Sequence, residues 1–216
     1  MPERVESHQI RSGPAPFTAR QRAGWGLSLG LTLLRLLLAP ACVILARDPS
    51  SGRAIAAALV AGFVSDVLDG VVARRANAST AFLRRLDSGV DTVFYLGIAW
   101  AAWRLFPGVM RANAWLIAAV LVAEGLNYVA AYLRFGQAPA YHAISAKAFG
   151  LLLFVALLVL FGTGERALLA PALVLGVLAT AESIAISCVL PVARHDVASL
   201  AVALRLRRSP VAPEAG

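Results

Sequence analysis

Blocks of about twenty apolar residues alternate with short polar segments along almost the whole chain. A helix rises 1.5 Å per residue and needs roughly 20 apolar residues to cross the hydrocarbon core of a bilayer, so each block reads as one span. Six spans are predicted: Gly24 to Ala46, Ala54 to Val72, Ser88 to Phe106, Ala112 to Leu133, Ala146 to Phe161 and Ala167 to Leu190. Pro107-Gly108, Pro139, Gly162, Gly164 and Pro191 punctuate the connections, as chain-breaking residues should. Pro40 lies inside the first span and is expected to kink it. The pattern predicts an all-α, polytopic membrane protein with six transmembrane helices. One domain then covers residues 24–190, between an N-terminal segment 1–23 and a C-terminal tail 191–216. Residues 10–23, with Phe17 among basic and small residues, read either as a short interfacial helix or as a disordered tail.

Composition strengthens this picture. Of 216 residues, 59% are hydrophobic and only 15% charged, against about 25% charged in a typical soluble domain. Nothing is left over for a separate soluble domain, and Met1 to Arg22 lacks the apolar run and cleavage site of a secretory signal. The net charge is +8, and Lys147 is the only lysine. The arginines cluster beside spans, which suits membrane topology and anionic head groups and excludes nucleic acid as the expected partner. Arg74, Arg75, Arg84, Arg85, Arg134, Lys147 and the arginines of both terminal segments fall on one side. The other side holds Arg47, Arg53, Arg104, Arg111 and Arg166. The positive-inside rule then places both termini in the cytoplasm of a multi-pass cell-membrane protein. Cys42 and Cys188 both fall inside spans, form no metal-type pair, and read as packing residues.

Four of the six aspartates lie between Asp66 and Asp91. Asp66 and Asp69 stand three apart near the cytoplasmic end of the second span, and Asp87 and Asp91 stand four apart at the start of the third. Each pair shares a helix face. The link of about residues 75–86 is short enough to make the two helices neighbours, so four carboxylates converge at one membrane edge. Like charges that close are costly, more so when partly buried. Divalent cations relieve the cost, and all-oxygen ligation suits Mg²⁺, Mn²⁺ or Ca²⁺. Two such ions about 3.5–4 Å apart suit an in-line phosphoryl displacement. The plainer reading is helix capping or solvated charge, and for Asp87, beside a helix start, capping alone would suffice.

These residues resemble a known signature. The CDP-alcohol phosphatidyltransferase family carries D-x2-D-G-x2-A-R-x8-G-x3-D-x3-D. The chain runs Asp66, Asp69, Gly70, Ala73, Arg74, then eight residues, Leu83, Asp87 and Asp91, matching seven of the eight positions. Leu83 replaces the second glycine. LTLLRLLLAP in the first span and LDSGVD before the third are also similar to the family. The resemblance implies a six-helix fold, usually a homodimer, and transfer of a phosphatidyl group from CDP-diacylglycerol to a small alcohol or phospho-alcohol with release of CMP. It implies two divalent cations, Mg²⁺ or Mn²⁺, on Asp66, Asp69, Asp87 and Asp91, with Asp91 also the general base. Gly70 and Ala73 would make room for the cytidine nucleotide and Arg74 would meet its phosphates; close helix packing is the alternative for the two small residues. A lysine or arginine between the fourth and fifth spans would bind an acceptor phosphate, which singles out Arg134 and Lys147, although positive-inside placement also explains Arg134.

Three charged residues stand within spans: Arg35, Glu124 and Glu182. Each is expensive alone. Arg35 either pairs with Glu124 or Glu182 or belongs to the substrate cavity. Asn127 shares the face of Glu124, His142 lies near Lys147, and His195 sits in the C-terminal tail. Trp25 reads as an interface anchor, and Gly26 with Gly30 as a helix-packing pair. Leu83 either points away from the nucleotide pocket, with Phe82 in an apolar patch, or narrows it. Two other functions compete with the transferase: a divalent-cation transporter, disfavoured because the aspartates sit at one membrane edge, and a non-catalytic relative, for which Leu83 is the one favourable feature.

Overall fold

The computed structural model describes residues 18–78, 80–137, 141, 143–192, 194 and 197–208. Among the described residues eight α-helices follow one another: α1 (Ala19–Leu45), α2 (Gly52–Arg75), α3 (Ala81–Leu105), α4 (Pro107–Ala112), α5 (Ala114–Phe135), α6 (Ile144–Thr163), α7 (Leu169–Val189) and α8 (Leu200–Arg208). No strand occurs among the described residues.

Five helices, α1, α2, α5, α6 and α7, are long and apolar enough to cross a membrane. The sixth expected span, α3, has 25 residues and is long enough. It falls short on composition, because Arg84, Arg85, Asp87, Asp91 and Arg104 interrupt its apolar sequence. The charges that thin its apolar character include two of the four clustered aspartates.

Helix α1 is inverted relative to a helix of a water-soluble bundle. Along α1 the buried residues are Gly24, Ser28, Thr32, Arg35, Ala39 and Cys42, spaced by threes and fours on one face. Leu27, Leu33, Leu34, Leu37 and Ile44 are exposed on the other. Lipid solvates leucine as well as a protein core does, so α1 can turn its small and polar face inward, where it permits close backbones and hydrogen bonds. Gly97 of α3 shows the limit of that approach: a Cβ there would lie 2.9 Å from the Ala39 carbonyl oxygen of α1. At Gly62 of α2 a Cβ would meet the Phe94 ring at 2.4 Å. Gly26 and Gly30, expected to pack, are exposed with nothing near an added Cβ.

The helices form two groups. In the first, α1 packs along both α2 and α3, while α2 and α3 approach each other at few positions. α2 and α3 are neighbours as expected, meeting at Gly62 and Phe94, but each packs more extensively on α1, which brings Arg35 to them. Their link is also shorter than predicted, spanning 76–80, because Thr80 starts α3 early by accepting a hydrogen bond from the Leu83 N–H at 3.1 Å. Thr18 and Gln21 form a capping box at the start of α1. Residues 18–23 thus run straight into the first span instead of forming a separate interfacial helix; residues 1–17 lie outside the described ones. Arg20 and Gln21 donate to the carbonyls of Arg75 and Asn77, at 3.1 and 3.4 Å, pinning the exit of α2 to the entry of α1.

In the second group α7 packs against α5 and α6, and α6 reaches α2. There Phe63 and Phe154 stack with centroids 4.3 Å apart. The tail after the last span is not wholly irregular. α8 folds back on α7, burying Val197 and Ala203 against Ile186, Leu190 and Tyr141. Cys42 is buried, but Cys188 is exposed and so is not the packing residue expected.

Candidate active site

The inward stripe of α1 carries one long charged residue, Arg35, and the four aspartates close around it. Arg35 Nη1 donates to Asp66 at 3.0 Å and to Asp91, and Nη2 donates to Asp69 and Asp87. The guanidinium side chain is 1% exposed, that of Asp69 5% and that of Asp66 43%, so the cluster deepens from Asp66 toward Asp69. Thr32 Oγ1, one turn before Arg35, lies 3.4 Å from Asp69 Oδ2. Among the described residues, Arg35 makes every ion pair to these carboxylates.

The donor set fits a divalent cation. Carboxylate oxygens of Asp66, Asp69 and Asp87 lie within 4.8 Å of one another. One guanidinium against four carboxylates leaves an excess of three negative charges, which a partly buried, low-dielectric site tolerates poorly. Hard divalent ions that take oxygen ligands answer that excess.

Two alternatives left open by the sequence are decided at this cluster. Asp87 is the seventh residue of α3 and Thr80 is its cap, so helix capping does not explain Asp87. Arg35 pairs with neither Glu124 nor Glu182. Glu124 accepts from Thr180 at 2.7 Å, and Glu182 accepts from Ser145 at 2.5 Å and from the Leu200 N–H at 2.9 Å. The signal that could have placed Arg35 was present: Ser28, Thr32 and Arg35 extend a small and polar stripe, whose inward direction in lipid is opposite to that of a leucine stripe.

A family model for CDP-alcohol phosphatidyltransferases matches residues 25–193, and those residues contain the whole cluster. The chain belongs to the CDP-alcohol phosphatidyltransferase family. No curated protein and no solved structure matches it.

In this member of the family the signature positions Gly70, Ala73 and Arg74 lie in the last turns of α2. Gly70 is half-buried, and a Cβ there would lie 3.2 Å from Nη1 of Arg74 one turn on. Arg74 is exposed and Ala73 is buried at 8% exposure. Leu83 lies in the first turn of α3, not in a loop before it, and is 4% exposed. It is therefore buried in protein rather than turned to lipid, while Phe82 beside it is exposed. Arg134 and Lys147 do not join the cluster. The Arg134 guanidinium donates to the Leu190 carbonyl at 3.0 and 3.2 Å, tying the end of α5 to α7, and Lys147 is exposed in the first turn of α6. His142 and His195 lie outside the described residues.

A cavity of about 650 Å³ runs from the cluster between α3 and α5 to α7. Ser88, Asp91 and Thr92 form its polar part, and Tyr95, Val120, Leu153 and similar residues its apolar walls. Glu124 and Phe149 also border a smaller pocket of about 240 Å³ between α5, α6 and α7, so the two spaces adjoin there. The sequence pointed to Glu124 and Asn127 as one face of one helix; the structure adds Tyr141, Thr180 and Ser183 from elsewhere in the chain.

Proposed function

We propose that the protein transfers a phosphatidyl group from CDP-diacylglycerol to the hydroxyl of a small alcohol and releases CMP. The observation that carries this reading is the convergence of Asp66, Asp69, Asp87 and Asp91 on one point, with Asp91 also facing the cavity. Asp66, Asp69, Asp87 and Asp91 would hold two divalent cations, Mg²⁺ or Mn²⁺, which when bound supply positive charge to the pyrophosphate and to the departing CMP. Asp91 accepts the proton of the acceptor hydroxyl. The oxygen so freed forms a bond to the phosphorus that carries diacylglycerol, and the bond from that phosphorus to the CMP oxygen breaks. Gly70 keeps bulk away from the nucleotide, and exposed Arg74 pairs with its phosphate oxygens. Arg35 holds the carboxylates together before the cations arrive. The arginine-rich end of the bundle faces the cytoplasm, so donor and acceptor meet at the cytoplasmic leaflet, in a protein that works as a homodimer.

CMP release by purified protein tests this directly. Chelation should abolish release, and Mg²⁺ or Mn²⁺ should restore it. Asp91→Asn should keep much of the CDP binding but lose about 10²–10⁴-fold in transfer, the usual contribution of a general base. Full activity in metal-stripped protein, or wild-type turnover by Asp91→Asn, would overturn the mechanism.

A further inference from the structure

The smaller pocket says what kind of alcohol the site takes, an inference that rests on the transferase reading. Its polar lining comes from Glu124 and Asn127 of α5, Tyr141, and Thr180 and Ser183 of α7. Thr180 donates to Glu124 Oε1 at 2.7 Å and Ser183 donates to Asn127 Oδ1 at 3.0 Å. These two bonds fix both side chains. They leave Glu124 Oε2 and the Asn127 amide N–H₂ without protein partners among the described residues. Asn127 is 5% exposed, and it borders the pocket, onto which its free amide group opens. No lysine or arginine lines the pocket among the described residues. Both basic residues expected to bind an acceptor phosphate are elsewhere: Arg134 is tied to Leu190 O, and Lys147 is exposed and outside the lining.

A phosphate is a multiply charged acceptor of hydrogen bonds, and recognition uses guanidinium, ammonium or backbone donors. A pocket whose described lining holds a carboxylate and no lysine or arginine disfavours it. The same carboxylate attracts hydroxyl or ammonium donors, and buried polar groups gain most from a ligand that satisfies them. The pocket meets the larger cavity at Glu124 and Phe149, and that cavity is bordered by Asp91. Glu124 and the base Asp91 therefore border one continuous space. We propose that the acceptor is a small unphosphorylated alcohol, held through its hydroxyl or ammonium donors by Glu124 and Asn127.

The test compares glycerol, inositol and ethanolamine with glycerol 3-phosphate and inositol 1-phosphate, in two assays on the detergent-purified chain. CMP release reads transfer; the melting temperature with each compound reads the pocket without turnover. The expected result is transfer to at least one unphosphorylated alcohol, with kcat/KM at least tenfold below it for each phosphorylated compound. Glu124→Gln should raise the KM of that alcohol about tenfold and leave the KM of CDP-diacylglycerol unchanged. Asn127→Ala, which keeps the carboxylate, should shift the same KM in the same direction. Preference for a phosphorylated alcohol overturns the pocket assignment while upholding transfer. Stabilisation by an unphosphorylated alcohol, lost in Glu124→Gln, with no CMP release from any acceptor supports the pocket and refutes transfer. Neither stabilisation nor transfer with any unphosphorylated compound overturns the proposal outright.

Discussion

Replacing Arg35 by methionine keeps most of the side-chain volume and removes the only cation paired with the four aspartates among the described residues. Breaking a buried ion pair by deleting one partner typically costs about 3–5 kcal/mol, because the other charge is left uncompensated. Arg35 and Asp69 are both almost fully buried, whereas Asp66 is 43% exposed and solvent screens its pair. The pair with Asp69 therefore dominates, and the single-pair figure of about 3–5 kcal/mol is the appropriate scale for the whole substitution. At roughly 2–4 °C per kcal/mol for a chain of this size, the fall in melting temperature is on the order of 6–20 °C. Tryptophan fluorescence of protein in detergent with a chelator measures it, since the chain has 4 tryptophans. A divalent cation draws on the same oxygens as the guanidinium, so it should stabilise Arg35→Met more than the parent. Saturation at 100 times Kd is worth about 2.7 kcal/mol, enough to recover a large part of the loss. A variant that melts with the parent in chelator would show that Arg35 does not hold the cluster. Equal cation-induced shifts in both proteins would show that the cation does not use these carboxylates.

Gly97→Ala should destabilise the protein by about 1–3 kcal/mol, the usual cost of overpacking, because the opposing atoms are the α1 backbone and cannot turn aside. Gly26→Ala meets nothing and should be neutral or stabilising by up to about 1 kcal/mol through helix propensity; equal melting temperatures for the two variants would refute the close crossing of α1 and α3. Leu83→Gly should lower stability by at least about 2–5 kcal/mol, since it empties a buried site in a helical first turn. CDP-diacylglycerol affinity should stay within a few-fold of the parent, and tighter binding by tenfold or more, about 1.4 kcal/mol, would show instead that Leu83 obstructs the nucleotide.

The sequence by itself determined what is local or periodic. Apolar runs of twenty residues specify helices that cross lipid, because no other open structure satisfies its backbone there. Spacings of three and four put Asp66 with Asp69, and Asp87 with Asp91, on single faces. The signature from Asp66 to Asp91 marked the family, since its residues lie within one short stretch. Whatever depended on which helices touch was decided only by the tertiary structure. A short link suggested that α2 packs on α3, and they do meet, yet both pack more extensively on α1, where Gly97 and the small residues of α1 allow a closer approach. That packing decided Arg35 between a glutamate partner and the site, and placed it at the centre of the carboxylates. The start of α3 likewise depended on Thr80, whose capping bond brought Leu83 and Asp87 into the helix. The pocket at Glu124 joins α5 to residues more than fifty positions away, including Thr180 and Ser183. Charge pattern along the chain shows which residues are costly in lipid; only the three-dimensional arrangement shows which partner offsets that cost.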